Sequence, residues 1–414
     1  MSYRWVVIIG LFSAVSSTAM WVSYSVGIML PDMKAELHMS PAEAGVLGAI
    51  SWLAMILLGI PIAAFVSRFN PRTMIFASAI HMAVFAFLQG WAPTYELEVL
   101  FRFVFMMGFV SRQANSAMLI QQWFAQHEVP RVQSFITVVM GLAQIAAVGF
   151  LPWMLIWFDG WRNTFYALAV ILVASSLFWL FFSRDNPEHE ARRPATKGER
   201  ERTPLAAILR YQPVWTFGVA TAFCIVGTSA FSVFWPTFLT EERGMSLRMA
   251  GFFTAGIPVG QILGALHCSW IRSRVTARRQ QMYLTGVVCT ASMLVMSLVP
   301  FRPLLPLGAF GLGWACMQVY PTLVAIPFEL PHVRPREVAV ISAFMMSLFT
   351  LGGVIGPLLT GAVQQATGSL QTGLLVVSCI HLGIFMVVFA SEVELPLLPR
   401  LARRQAVLAG AEHA

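Results

Sequence analysis

The sequence predicts an all-α polytopic membrane protein with twelve transmembrane helices in two six-helix, pseudo-symmetric bundles. Three observations predict it. The chain of 414 residues is 57% hydrophobic and only 11% charged, less than half of the roughly one quarter that soluble domains carry. The same hydrophobicity excludes disorder. The apolar residues fall in charge-free runs of the length that crosses a bilayer, about 20 residues. Finally, a set of residues recurs along the chain at an offset of 205 or 206.

Taken in order, the runs are 5–30 (span 1), 44–67 (span 2), 73–95 (span 3), 132–158 (span 5), 163–183 (span 6), 211–240 (span 7), 249–271 (span 8), 280–301 (span 9) and 303–328 (span 10). The stretch 338–391 is long enough for spans 11 and 12 around the turn Gly368-Ser369-Leu370-Gln371. Span 1 is too long for a cleaved leader and reads as the targeting signal itself. Segment 97–123 fails the run test because Glu98, Arg102 and Arg112 interrupt it. Charge bias decides its case. If it crosses as span 4, 20 of the 27 Lys and Arg fall on the side of both termini, and Lys34, Arg162, Arg243, Arg248 and Arg302 fall on the other. Without that crossing every later loop changes side and the bias collapses. Basic residues gather on the cytoplasmic side, so the expectation is a multi-pass protein of the inner (plasma) membrane with both termini cytoplasmic.

The net charge of +8 does not point to nucleic acid, because the basic residues sit in short clusters between apolar runs. Cys224, Cys268, Cys289, Cys316 and Cys379 all lie in apolar runs with no zinc-ligand spacing. They read as small buried hydrophobes, so neither metal nor cofactor is expected.

The repeat organises the chain. Ser40, Gly45, Arg68 and Arg72 recur as Ser246, Gly251, Arg274 and Arg278. Gly108, Gln113, Pro130, Arg131 and Pro152 recur as Gly313, Gln318, Pro335, Arg336 and Pro357. One offset kept from span 2 to span 5 divides the chain into a bundle 1–183, a polar cytoplasmic linker 184–212, a second bundle 213–395 and a cytoplasmic tail 396–414.

Two six-helix halves with this layout resemble the major facilitator superfamily of secondary transporters. The loop before span 3, Ala63 to Arg72, is similar to the family's G-x-x-x-D-R-x-G-R/K-R/K, with Ser67 in place of the aspartate and Asn70 in place of a glycine. Arg102 and Gly108 resemble its span 4 signature, WFAQHEVPR its following loop, and LGGVIGPLLTG its span 11. Span 5 reads GLAQIAAVGFLPW and lacks the paired-glycine antiporter signature of drug exporters. The resemblance implies alternating access, with spans 1, 4, 7 and 10 lining a central cavity. It implies structural or gating roles for Arg68, Arg72, Arg102, Arg274, Arg278, Gly353 and Pro357. The small-residue faces Gly256-xxx-Gly260-xxx-Gly264 and Gly352-xxx-Gly356 serve either the approach of the two halves or static packing within one half.

Arg112 lies near the middle of span 4. A bare arginine there costs several kcal/mol or more, so it faces the interior or a partner. Gly108, Ser111, Arg112 and Asn115 share one helical face. No Asp or Glu lies at mid-depth in any span. The guanidinium fork matches a carboxylate, so the substrate itself is the expected counter-ion. The alternative is an arginine satisfied by carbonyls and amides. Arg102, nearer the outer interface, is expected to snorkel or to pair with Glu98. The candidate substrate-binding set is Arg112, Gln113, Asn115, Trp21, Tyr24, Trp235, Gln261, Trp314, Gln318 and Tyr320. His81 and His381 read as packing residues, and His267 as a further proton-carrying candidate.

The expected function is transport of a small organic, carboxylate-like or inorganic anion by a monomer in the lipid bilayer. Three coupling routes stay open: exchange for a counter-anion, symport with a proton carried by substrate or histidine, and facilitated diffusion. Efflux of an amphipathic compound, or a transporter-like membrane sensor, are the alternatives. No carboxylate pair, metal-spaced cluster or nucleophile motif suggests an enzyme.

Overall fold

The computed structural model describes residues 3–66, 68–125, 128–184, 212–271, 278–329 and 335–383. Its spans are Gly10–Glu36, Pro41–Val66, Pro71–Trp91, Tyr95–Trp123, Val129–Trp157 and Trp161–Phe182, then Gln212–Thr237, Leu247–Thr254 continued by Gly256–Ile271, Arg278–Leu298, Leu305–Glu329, Pro335–Thr367 and Leu370–His381. Among the described residues, eight helices are long and apolar enough to cross a membrane by length and composition. Span 4 is not among them, since Glu96, Glu98, Arg102 and Arg112 interrupt its hydropathy. It is nevertheless one unbroken helix of 29 residues, about 43 Å at 1.5 Å per residue.

The starts of the spans are set by short polar caps. Ser40 and Glu43 form a reciprocal capping box at span 2, with Ser40 N donating to Glu43 Oε2 at 2.7 Å. Ser246 caps span 8 by accepting from Met249 N at 3.3 Å. These two serines are partners at the repeat offset, so the repeat marks equivalent helix starts. Asn70, where the family carries glycine, caps span 3 by accepting from Arg72 N at 2.9 Å. Arg72 in turn donates to Ser183 Oγ and Leu180 O, holding the last turn of span 6, where a cation meets the negative end of the helix dipole. Arg68 is exposed. Arg274 lies outside the described residues, as do the side chain of Arg278 and the linker 185–211.

Spans 1–6 pack among themselves, as do spans 7–12, and the two sets meet through spans 1 with 7, 2 with 11 and 5 with 8. Large apolar side chains such as Ile60, Val170, Phe181 and Phe252 face outward, as a bilayer-facing surface requires. The meeting of the halves is built from repeat-related residues. Gly45 of span 2 lies against Pro357 of span 11, where an added Cβ would come within 2.7 Å of the Pro357 carbonyl oxygen. Gly251 of span 8 lies against the ring of Pro152 in span 5 in the same way. Gly45 pairs with Gly251, and Pro152 with Pro357, at the repeat offset. Gly353 adds a seat for the Trp52 ring.

The small-residue stripes divide differently. Gly256, Gly260 and Gly264 fit against Pro306, Phe310 and Trp314 of span 10, and Gly352 and Gly356 against Ala222 and Val226 of span 7. Both stripes therefore pack within the second half, and the approach of the halves belongs to other glycines. Polar latches join the halves at the arginine-poor end. Lys34 pairs with Glu241 at 2.9 Å, Ala42 N donates to Gln365 Oε1 at 3.3 Å, and Arg248 lies over the Trp153 ring at 4.2 Å.

Candidate functional site

Span 4 carries two buried arginines ten positions apart, and the bundle treats them differently. Arg102 is 2% exposed. Its Nε donates to Ser51 Oγ at 3.1 Å, Nη1 to Val22 O at 2.9 Å and Gln89 Oε1 at 3.3 Å, and Nη2 to Ser23 O. The guanidinium thus ties span 4 to spans 1, 2 and 3. It neither snorkels nor bonds Glu98, contrary to expectation: spans 1 to 3 present two carbonyls, a hydroxyl and an amide oxygen at its level, and these use the donors first. Glu98, one turn earlier, is fully buried, and neither carboxylate oxygen has a hydrogen-bond partner among the described residues.

Arg112 is 5% exposed and lies three residues past the centre of the Tyr95–Trp123 helix. Nη1 donates to Ser16 Oγ of span 1 at 2.6 Å. Nε has no partner among the described residues. The flat guanidinium lies 4.8 Å from the centroid of Phe109 and 5.9 Å from that of Phe12, close enough for cation–π attraction. Asn115 is fully buried and donates from Nδ2 to Ser111 O at 2.8 Å, while its Oδ1 has no partner. So Arg112 and Asn115 each keep one buried polar atom without a partner among the described residues. The only polar group that bonds Arg112 among the described residues is a neutral hydroxyl. Gln113, one position on, is exposed and points off this face by the 100° step of a helix.

Other members of the expected set are distributed around the bundle. Trp21 is half-buried and stacks edge-on against Phe150 of span 5, and Tyr24 is half-buried against the core. Gln261 and Trp314 are half-buried in spans 8 and 10. Gln318 is buried, with Nε2 donating to Gly264 O and bonded to His267 Nδ1, both at 3.0 Å. The His267 ring lies 5.1 Å from that of Trp314. Those bonds lock span 10 to span 8. Trp235 is fully buried and donates to Met296 O of span 9 at 3.3 Å, which places it in the core of the second half. The side chain of Tyr320 lies outside the described residues. His81 holds Val104 O at 2.8 Å, fastening span 3 to span 4. Sequence reasoning named Trp21 and Tyr24 on span 1 and missed Ser16 and Phe12. Ser17 and Ser25 bond their own helix carbonyls. Phe12 and Ser16 stand one turn apart on one face of span 1, but nothing in the sequence turns that face toward Arg112.

Comparison with known proteins agrees with this architecture. The family model "Major Facilitator Superfamily" matches residues 8–357. The "Probable galactarate/D-glucarate transporter GudP" of Escherichia coli (strain K12) is 22% identical over 396 residues, covering 84% of each chain. The "Nitrite extrusion protein" of Bacillus subtilis (strain 168) is 22% identical over 379 residues, covering 91% of each. The "Hexuronate transporter" of the same organism is 23% identical, covering 73% of this chain and 74% of the relative. Among solved structures, a bacterial homolog of the human lysosomal transporter Spinster, in an inward-facing and occupied conformation, superimposes with TM-score 0.81. It is 13% identical and covers 94% of this chain and 97% of the other. With its two meeting six-helix sets and a family match across most of its length, the chain belongs to the Major Facilitator Superfamily.

Proposed function

We propose that the chain carries a small anion of single negative charge across the plasma membrane, with Arg112 as its fixed counter-charge. The observation that carries this reading is the unmatched guanidinium: buried at mid-span, bonded among the described residues to one neutral hydroxyl, with no partner there for Nε. An anion on the fork would offset the burial cost through charge-assisted bonds. Phe12 and Phe109 hold the guanidinium plane, and the free Asn115 Oδ1 suits a hydroxyl or protonated group on the bound molecule. The second half adds no cation. The counterpart of Arg112 at the repeat offset is Met317, and the apolar runs of spans 7 to 12 contain no Lys or Arg. One fixed charge favours one carboxylate, or nitrate or nitrite, over a dianion. The names of the relatives, which concern sugar acids and nitrite, support an anion on independent grounds.

In this reading the arginine-rich end faces the cytoplasm, and residues 1–183 and 213–395 rock as two bodies joined by 184–212 and followed by the tail 396–414. The working unit is a monomer, and the partner ion is a second anion or a proton that enters with the substrate. The test is thermal stabilisation and liposome uptake for the wild type and Arg112→Gln, against monocarboxylates, dicarboxylates, nitrate, phosphate and a cationic dye. Stabilisation by a monoanion that the folded variant loses supports the reading. Stabilisation by the dye alone, or an anion response that survives in Arg112→Gln, overturns it.

A further inference from the structure

Away from Arg112, the core of the second half gathers three side chains of metal-ligand type. Cys224 of span 7, Cys289 of span 9 and His381 of span 12 are all buried, and one ligand atom from each lies within 4.8 Å of the other two. The Cys224 thiol also lies against that of Cys316 in span 10. Three spans far apart in sequence thus converge on one small volume, with a fourth span adjoining it.

Packing alone accounts for the cysteines, which behave as small hydrophobes. It does not account for the histidine. His381 is fully buried, its Nδ1 lies 3.1 Å from Thr290 Oγ1, and its Nε2 has no partner among the described residues. A buried polar atom left unpaired is destabilising, a cost that a leucine at this position would avoid. With the proton on Nδ1, donated to Thr290, Nε2 presents a free lone pair. Metal-bound histidines are oriented in this way, with the second ring nitrogen fixed by a neighbouring acceptor.

We propose that Cys224, Cys289 and His381 form a binding site for a thiophilic d10 cation, specifically Zn²⁺. The donor set is two sulfurs and an imidazole with no carboxylate, which suits Zn²⁺ or Cu⁺ and disfavours Mg²⁺, Ca²⁺ and Mn²⁺. Charge separates the first two. Zn²⁺ with two thiolates and a neutral imidazole is a neutral complex, whereas Cu⁺ leaves one net negative charge in an apolar core, where an unpaired charge is expensive. Loading forms two Zn–S bonds and one Zn–N bond, breaks two S–H bonds and releases two protons to water, with no change of oxidation state. A tetrahedral ion with bonds of about 2.3 Å to sulfur spaces its ligands roughly 3.8 Å apart, close to the 4.8 Å within which one ligand atom of each side chain already lies. Cys316 is the side chain available for a fourth position. The site would pin spans 7, 9 and 12 together and stabilise the second half independently of the anion.

The test uses the full-length protein in detergent with Co²⁺ as the optical probe and Zn²⁺ as competitor. The expected result is one Co²⁺ per chain with the intense near-ultraviolet band of thiolate-to-cobalt charge transfer. Zn²⁺ should abolish the band and raise the melting temperature by several degrees. Cys289→Ser and His381→Gln should lose the band, and Cys379→Ser, an exposed thiol on the same span as His381, should keep it. A wild type that shows its normal melting transition yet takes up no stoichiometric Co²⁺ or Zn²⁺ overturns the proposal. So does a band that persists in Cys289→Ser or disappears in Cys379→Ser.

Discussion

Arg102 and Arg112 share a helix, a residue type and a depth of burial, yet one is satisfied and the other is not. Arg102 spends donors on Ser51, Gln89 and two carbonyls of span 1. Arg112 spends one on Ser16 and leaves Nε bare. An arginine whose donors are met locally is a clamp, and its removal should appear in stability. On the proposed reading, an arginine with a donor left without a described partner holds the substrate, and its removal should appear in binding. Neighbours, and not the side chain itself, assign the role.

The comparison can be broken in four ways, beginning with the largest effect. Arg102→Gln should destabilise the protein by about 3–5 kcal/mol, because it leaves a set of buried acceptors unpaired. Lowered melting temperature or poor yield should appear with no selective loss among anions, and a stable Arg102→Gln protein that loses only anion binding would exchange the two roles. Arg112→Gln should weaken anion affinity by roughly 2–4 kcal/mol, that is by about thirtyfold to nearly a thousandfold, and move the melting temperature of the free protein little. Isothermal titration with the stabilising anion measures it. Ser16→Ala should cost about 1 kcal/mol of anion affinity, since the hydroxyl orients the fork without carrying charge. A larger loss than that of Arg112→Gln would make Ser16 the primary contact. Glu98→Gln should change stability by less than about 1 kcal/mol, because neither oxygen accepts a hydrogen bond that the substitution removes. A large drop in denaturation experiments would show that its charge balances Arg102.

A second contrast concerns the glycines. The regular small-xxx-small stripes of spans 8 and 11 are the visible pattern in sequence, and both pack inside the second half. The contacts between halves include Gly45 with Pro357 and Gly251 with Pro152, alongside Gly353 and Gly361 on the other face of span 11. What relates the two Gly–Pro pairs in sequence is their shared offset. A stripe reports that some helix comes close; only the repeat told which residues stand in equivalent places. The same limit applied to the functional residues. Span 4 was legible as a crossing helix because charge bias demands it, and Arg112 as unusual because no acid accompanies it. Ser16 and Phe12 were not legible as its neighbours, since contact between spans 1 and 4 depends on helix rotation, which hydropathy does not encode when helices are apolar on every side.

The sequence by itself determined the membrane class, the count and order of the spans, the pseudo-symmetry and the presence of a mid-membrane cation without an acid. These follow from composition, run length and charge, which act along the chain. The tertiary structure decided which arginine is a clamp, which tryptophan and glutamine are spent on helix–helix bonds, and that Cys224, Cys289 and His381 stand together. The two cysteines are 65 residues apart and the histidine a further 92, so no ligand spacing betrays them. Their convergence is a product of how spans 7, 9 and 12 pack, and side-chain neighbours across helices are set by close packing in three dimensions.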